Sequence, residues 1–249
     1  MTARAPDLGP QAQLVELRVA DDPAAWTAAG FHVDDDTVRV GDTAIRLVGA
    51  SASPDRRGIR GATIVGLGAE RDEVEGLALE VTTERPSPTN ADEHRQMPQH
   101  ANGVTGFDHL VVATPALDRT VAAIAELGLA CRRIRETTSY GSRMRQGFFR
   151  VGSVILEVVS DDSLPGAPPE KAPATWFGLA LDVEDLDQTA ELLGDAMGTI
   201  RSAVQDGRRI ATIRHKTVSI SVPIALMDHR GLGHRSDPGP AGTSGTKQD

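Results

Sequence analysis

Aromatic side chains and cysteines are scarce in this chain. Only 3% of its 249 residues are aromatic, and Cys131 is its single cysteine. One cysteine cannot form an internal disulfide, which fits a reducing cytoplasm and predicts a cytoplasmic protein. The apolar content of 39% is enough for a packed core. Aliphatic and alanine side chains must therefore fill most of the interior.

Long apolar runs and an excess of basic residues are also lacking. No apolar run approaches the roughly 20 residues that span a bilayer. Residues 1–10 lack the apolar stretch of a signal peptide. The formal net charge of -9 argues against binding to nucleic acid or to an anionic membrane, since both favour clustered Lys and Arg. We expect neither of these partners.

The composition of two segments divides the chain. Residues 83–105 are rich in Pro, Asn and Gln, which predicts a linker. Residues 230–249 are mostly Gly, Ser, Pro and charged residues, which predicts a disordered tail. The segments 12–82 and 106–228 remain as candidate folded units.

The segment 106–228 contains an internal duplication, with copies at 106–160 and 174–228. A shift of 69 residues places Leu110 on Leu179 and Asp118 on Asp187. Each copy reads as a strand, a helix with an apolar stripe and three further strands. Segment 12–82 resembles a shorter, degraded copy of the same unit. The pattern therefore predicts an α+β fold built from βαβββ modules.

Two apolar strands, predicted at 107–112 and 154–159, each contain one side chain that can bind a metal. Strand alternation predicts that His109 shares a face with Phe107, and that Glu157 faces the same side as its own apolar neighbours. An ionised Glu among apolar residues is costly unless it is solvated, paired or bound to a metal. If the strands pair, they can aim an imidazole and a carboxylate at one point.

The order of these motifs resembles the vicinal oxygen chelate superfamily. That group includes glyoxalase I, methylmalonyl-CoA epimerase, extradiol dioxygenases, and bleomycin- and fosfomycin-resistance proteins. The matching segments are Phe107-Asp108-His109-Leu110-Val111-Val112, Pro115-Ala116-Leu117-Asp118 and Ile155-Leu156-Glu157-Val158-Val159. The resemblance implies modules that curl their sheets into a curved, partly open, glyoxalase-like mixed-sheet barrel. It also implies a small-molecule substrate and a divalent metal (Zn, Ni, Mn, Mg or Fe) in the concave face.

Carried over from the family, His109 and Glu157 match the metal ligands of the first module and become the candidate catalytic residues. The second module departs from the pattern, with Gly178 and Ser221 at the expected ligand positions. Glycine supplies no ligand, and serine is a poor one for these metals. Candidates for a third ligand are His215 and Glu16. A site completed by waters and a metal-free pocket are equally consistent with the sequence.

The candidate substrate pocket contains Arg145, Phe149 and Tyr140. The neighbouring arginines 132, 133, 135 and 143 add local positive charge. They are either a solvated strand face or a binding site for an anionic substrate such as a carboxylate.

The resemblance implies a glyoxalase-like enzyme with metal-assisted lyase, isomerase or epimerase chemistry on a substrate with two neighbouring oxygens. In a degenerate site, His109 and Glu157 would handle the proton directly. One alternative is a non-catalytic protein of the same fold that binds a drug or metabolite. A second is a ring-cleaving, dioxygenase-like enzyme, which needs two His and one carboxylate on iron. The N-terminal segment could cover the barrel mouth or form a homodimer.

Overall fold

The structure is a computed structural model and describes residues 12–49, 57–68, 70–82, 98–138, 144–160 and 171–229. The predicted tail, residues 83–97 of the predicted linker and Tyr140 lie outside these ranges. Within the described part of the chain, none of the helices is long and apolar enough to cross a membrane.

The N-terminal half forms a six-stranded mixed sheet with one short helix. Its elements are β1 (Gln13–Val19), α1 (Pro23–Ala28), β2 (Thr37–Val40), β3 (Thr43–Leu47), β4 (Ile59–Val65), β5 (Arg71–Val74) and β6 (Leu77–Thr82). Pro23 opens the helix, where its missing N–H is not needed, and Trp26 docks the helix in the core. Gly41, with φ +58°, makes the tight turn between β2 and β3.

The C-terminal half forms an eight-stranded mixed sheet. Its elements are β7 (Val104–Ala113), α2 (Leu117–Glu126), β8 (Cys131–Thr137), β9 (Met144–Val151), β10 (Val154–Ser160), β11 (Thr175–Val183), α3 (Leu186–Leu193), β12 (Arg201–Ser202), β13 (Arg209–Thr212) and β14 (Ile224–Asp228). The strand order is β12-β13-β14-β11-β7-β10-β9-β8. The predicted α+β fold of duplicated βαβββ modules is confirmed.

Both sheets are organised in the same way. In the larger sheet the first strands of the two modules, β7 and β11, pair antiparallel, and each pairs parallel with the last strand of its own module. In the smaller sheet β1 and β4 pair antiparallel in the centre, with β3 and β6 parallel to them. In the second half of the smaller sheet, the described residues between its first two strands, β4 and β5, form no helix. The smaller sheet is therefore a reduced version of the larger one.

The two sheets meet at a buried carboxylate. Asp21 is fully buried and accepts hydrogen bonds from Trp26 Nε1 (3.2 Å), Arg57 (2.9 Å) and the backbone N–H of Ser221 (3.0 and 3.1 Å). Ser221 Oγ in turn accepts from the backbone N–H of Gly58 at 2.8 Å. Ser221 therefore joins the two sheets, and it precedes the last strand of its module.

The end of the predicted linker is also packed into the protein. His100 and Asn102 are buried, and β7 begins at Val104, within the range predicted as linker. The side chain of Asn102 donates to the carbonyl of Ala29 at 2.9 Å. Residues 98–103 thus connect the two sheets through specific contacts.

Candidate active site

The eight-stranded sheet curls around a cavity of about 870 Å³. Strands β8 and β12 are the two edges of the sheet, yet residues of both line this one cavity. A flat sheet would keep its edges about seven strand spacings apart, so the shared lining shows strong curvature. His109 and Glu157 lie on the central strands β7 and β10 and form part of its wall.

The side chains of His109 and Glu157 converge as the sequence predicts. Their strands pair in parallel, with Glu157 opposite Val111. His109 Nε2 lies 3.7 Å from Glu157 Oε2, and the two side chains are only 18% and 12% exposed. The pair is close enough to share a proton through a small rearrangement or a bridging atom.

A β-bulge at Asp108 changes the expected orientation of the neighbouring residues. His109 pairs with Ala180 and Phe107 with Leu181, which leaves Asp108 as the extra residue of the strand. Phe107 is buried with the core residue Leu110 instead of sharing the face of His109. The prediction for Phe107 is therefore wrong, because the bulge interrupts strict alternation.

The bulge brings the carboxylate of Asp108 to its own neighbour in the chain. Asp108 Oδ2 lies 2.6 Å from His109 Nδ1, and Asp108 Oδ1 accepts from Arg208 Nη1 at 2.6 Å. Burial would raise the pKa of Asp108, but the hydrogen bonds and positive charge of His109 and Arg208 outweigh it and lower the pKa to about 2. An ionised carboxylate only accepts, so Nδ1 must donate. The Nε2 lone pair of a neutral His109 then faces Glu157.

Arg208 belongs to the second module and holds a second carboxylate as well. It lies just before β13 and also forms an ion pair with Asp182 on β11. Burial, followed by the negative charge of Asp108, raises the pKa of Asp182. Sequence reasoning missed Arg208, because nothing in a loop position indicates which strand it reaches.

Glu157 is held in a poorly solvated position by Gln146. Gln146 Nε2 donates to Glu157 Oε1 at 2.6 Å. Burial raises the pKa of Glu157, against the opposing charge of His109 and Arg135. Gln146 Oε1 is buried and has no hydrogen-bond partner within the described part of the protein. Strand alternation with Phe148 could have identified Gln146 in the sequence.

The second module supplies no side chain equivalent to this pair. Glu157 lies opposite Val111, and the 69-residue shift takes Val111 to Ala180, which lies opposite Ala225. Ala225, not Ser221, is therefore the structural equivalent of Glu157. The prediction for Ser221 is wrong because the residues before β14 form turns, where the sequence predicts a strand.

Gly178 occupies the position equivalent to His109 and is tightly enclosed. A Cβ added there would lie 2.6 Å from the backbone carbonyl oxygen of Pro223, closer than real Cβ atoms come. That oxygen also accepts the backbone N–H of Leu179 at 3.0 Å, so it cannot easily move. Backbone packing thus prevents any side chain at this position.

The candidate third ligands lie elsewhere. Glu16 is on the smaller sheet, where it pairs with Arg18 and Arg46 at 3.1 Å each, and His215 follows β13. Neither lines the cavity. Among the residues that the structure describes, no group of three or more His, Cys, Asp or Glu side chains could hold a metal ion. A catalytic metal normally needs about three protein ligands, so the residues present do not fit one.

The predicted pocket residues are placed differently from one another. Phe149 borders the cavity but is 1% exposed and packs in the core, whereas its neighbour Phe148 alternates to the cavity side. Arg145 is outside the lining and forms a bidentate pair with Asp118 at 2.9 and 3.0 Å. Tyr140 lies outside the described residues.

The chain has the fold of the vicinal oxygen chelate superfamily, as its motifs predict. Among solved structures, it is similar over 89% of its length to a mutant of 4-hydroxymandelate synthase from Streptomyces coelicolor, with 94% of that chain covered, 13% identity and a TM-score of 0.62.

A xylose isomerase-like TIM barrel/4-hydroxyphenylpyruvate dioxygenase fusion protein matches 96% of this chain over 51% of its own, with 14% identity and a TM-score of 0.54. Methylmalonyl-CoA epimerase from Mycobacterium tuberculosis matches 56% of this chain and 95% of its own, with 20% identity and a TM-score of 0.43. No protein-family model and no curated protein sequence matches the chain. At identities of 13% and 14%, the two matches with TM-scores above 0.5 show a common fold and no more.

Proposed function

We propose that the cavity is the active site of a small-molecule enzyme that transfers a proton at a carbon next to a carbonyl group. The observation that carries this proposal is the 3.7 Å separation of His109 Nε2 and Glu157 Oε2 in the cavity wall. One group of the pair is prepared as a base and the other as an acid. Such acid–base pairs contribute about 10²- to 10⁴-fold to a rate.

His109 is the base in this reaction. Its Nδ1–H is engaged by ionised Asp108, so Nε2 is available to take a proton from the substrate carbon. The C–H bond breaks, an N–H bond forms at Nε2, and the electron pair moves onto the carbonyl oxygen. The product of this step is an enol or enolate.

Glu157 is the acid. Its raised pKa favours the protonated form, which can donate to the carbonyl oxygen as negative charge develops there. Return of a proton to the opposite face of the same carbon gives an epimer, and return to the neighbouring carbon gives an isomer. Elimination of a group from the enolate would make the enzyme a lyase.

Proton transfer by side chains fits the donor set better than the metal-assisted version. A divalent metal would supply Lewis acidity, but His109 and Glu157 stand without a third ligand among the described residues. The same shortage disfavours the dioxygenase alternative, which needs a second histidine where Gly178 stands.

The binding-protein alternative has an observation in its favour. The second module contributes Gly178 and Ala225 where the first contributes His109 and Glu157, so half of the symmetric site has no functional side chain. A pocket that retains only shape and charge would sequester a ligand without chemistry.

Deuterium wash-in separates the enzyme from the binding protein. The full chain is incubated in D₂O with 2-hydroxy and 2-oxo carboxylates and acyl thioesters, and exchange at carbon is followed by ¹H NMR. We expect wash-in for at least one probe, and a loss of about 10²-fold or more in His109→Ala and Glu157→Gln. His215→Ala and Glu16→Gln are matched controls, because neither residue lines the cavity.

Two outcomes would contradict the proposal, one for the enzyme and one for the metal-free mechanism. Tight binding of a probe without wash-in would support the binding protein and overturn the enzyme. Stoichiometric metal in the purified protein, lost in both His109→Ala and Glu157→Ala, would overturn the metal-free mechanism.

A further inference from the structure

We infer that the natural ligand of the cavity is a small organic anion with at least two negative charges. This inference rests on the proposed function in placing the substrate in the same cavity, but it concerns binding and not proton transfer. It is carried by the arginines that line the cavity.

The cavity lining is strongly cationic in an acidic protein. Its arginines are Arg132, Arg133, Arg135, Arg150 and Arg201. Among the described lining residues, Glu157 is the one acid. The chain as a whole has a formal net charge of -9. Concentrating guanidinium groups in one concave surface focuses positive potential there and attracts anions from solution.

A second β-bulge adds one of these charges. Cys131 pairs with Phe149 and Arg133 with Phe148, so Arg132 is the extra residue of β8. In a regular strand, Arg132 and Arg133 would point to opposite faces, whereas both line the cavity here. Arg135 then follows Arg133 at the normal period of two. The local backbone thus places three arginines on one wall.

Arg132 and Arg133 differ from several arginines elsewhere in the described part of the protein, which are held by carboxylates. Arg18, Arg208 and Arg209 each form an ion pair with a carboxylate. The side chains of Arg132 and Arg133 form no hydrogen bond or ion pair within the described part of the protein. Their planar donors are therefore available for the bidentate contacts that guanidinium makes with carboxylate and phosphate oxygens.

Positive charge stands on both sides of the cavity mouth. Arg133 and Arg135 belong to one edge of the curled sheet, and Arg201 belongs to strand β12 at the opposite edge. The acid–base pair lies on the central strands between them. A ligand that places its reacting carbon at His109 and reaches both edges would carry an anionic group toward each side.

The inference is tested by calorimetric titration of the full chain with two graded series. The carboxylate series is acetate, succinate and citrate, and the phosphoryl series is methyl phosphate, pyrophosphate and ADP. We expect the affinity to rise by about tenfold or more from the least to the most charged member of one series. The series that shows the rise identifies the anionic group.

Two double variants are compared. One removes two positive charges from the cavity lining, and the other removes two from the surface outside the cavity. Arg133→Gln combined with Arg135→Gln should weaken binding of the best multianion about tenfold or more, and added salt should weaken binding to the native protein. Arg71→Gln combined with Arg214→Gln is the control, because both residues are exposed and outside the cavity. We expect that control to change affinity less than about twofold.

Equal affinity across both series, or equal loss in the two double variants, would overturn the inference. His109→Ala separates it from the proposed function. A variant that binds the multianion normally but shows no deuterium wash-in supports both. Normal multianion binding with no wash-in even in the native protein would overturn only the proton-transfer function.

Discussion

Asp108 and His109 are consecutive residues of one strand, and yet Asp108 Oδ2 lies 2.6 Å from His109 Nδ1. Consecutive side chains of a regular strand point to opposite faces, so this contact depends on the bulge at Asp108. The second module, which provides no equivalent of His109 or Glu157, still acts on the site through Arg208. The two modules thus contribute different parts of one network.

Asp108→Asn should reduce proton transfer far more than ligand binding. Asparagine cannot stabilise the Nδ1–H form as a charged carboxylate does, so we expect deuterium wash-in to fall about 10²-fold or more with multianion affinity almost unchanged. The ¹⁵N chemical shifts of His109 should show the tautomer change directly. Asp118→Asn is the control, since Asp118 pairs with Arg145 outside the cavity. An unchanged tautomer would refute a positioning role for Asp108.

Gln146→Leu should raise the pKa of Glu157 further. The variant removes the hydrogen bond that stabilises the ionised carboxylate, while burial, the larger cause of the raised pKa, remains. We expect the ¹³C-detected titration of Glu157 and the alkaline limb of the rate profile, where the acid loses its proton, to move to higher pH. Gln205→Leu changes another cavity residue and should leave both where they are. A shift to lower pH would contradict the assigned hydrogen bond.

Asp228→Ala should be among the most destabilising single substitutions in the C-terminal half. Asp228 is fully buried, receives two hydrogen bonds from Arg209 at 2.5 and 3.1 Å and caps the backbone N–H of Leu186. Leaving Arg209 without its buried partner should cost about 3–5 kcal/mol in the free energy of unfolding. Asp187→Ala removes an exposed partner of the same arginine and should cost less than about 1 kcal/mol. Urea denaturation measures both, and equal losses would contradict the argument.

His100 should make the protein less stable in mild acid. His100 Nδ1 accepts the backbone N–H of His32 at 3.0 Å, and Nε2 donates to the carbonyl of Arg39 at 2.9 Å. Burial is the main cause that lowers the pKa of His100 below 6.5. The unfolded chain therefore binds the proton more readily than the folded protein.

The stability contributed by neutral His100 is complete above about pH 6.5. It is lost as the pH falls from there through the lower folded pKa, by at most about 1.4 kcal/mol per pH unit. Thermal melts between pH 7.5 and pH 5 should show this slope of stability against pH, and His100→Gln should reduce the slope. His215→Gln is the control. An unchanged slope in His100→Gln would show that another group is responsible.

The fold and half of the site could be predicted from the sequence because both follow from periodicity. Alternation within two apolar strands was enough to bring His109 and Glu157 together, and the 69-residue repeat identified the modules. The position of Phe107 was not predictable in this way. A single bulge reverses the face of every residue before it and leaves no mark in an alternating pattern.

The remaining errors arise where the chain is irregular. The sequence predicts a strand through residues 213–223 and so places Ser221 at a ligand position, but these residues mostly form turns. Arg208 reaches Asp108 on β7 from a loop 100 positions further along the chain, and no local pattern indicates such a contact. The sequence indicates β4 and β6 as paired strands but not their place in a repeat, because the described residues between β4 and β5 contain no helix to mark a module.

The enclosure of Gly178 by the carbonyl of Pro223 also limits which activities this protein can acquire by substitution. A histidine ligand cannot be introduced at this position by one substitution, since even a methyl group would collide with the backbone. Converting the site into a metal centre would require the turn before β14 to be rebuilt first. New activities are therefore more accessible through substitution of the arginines that line the cavity. Such changes would alter which ligand binds while His109 and Glu157 stay in place.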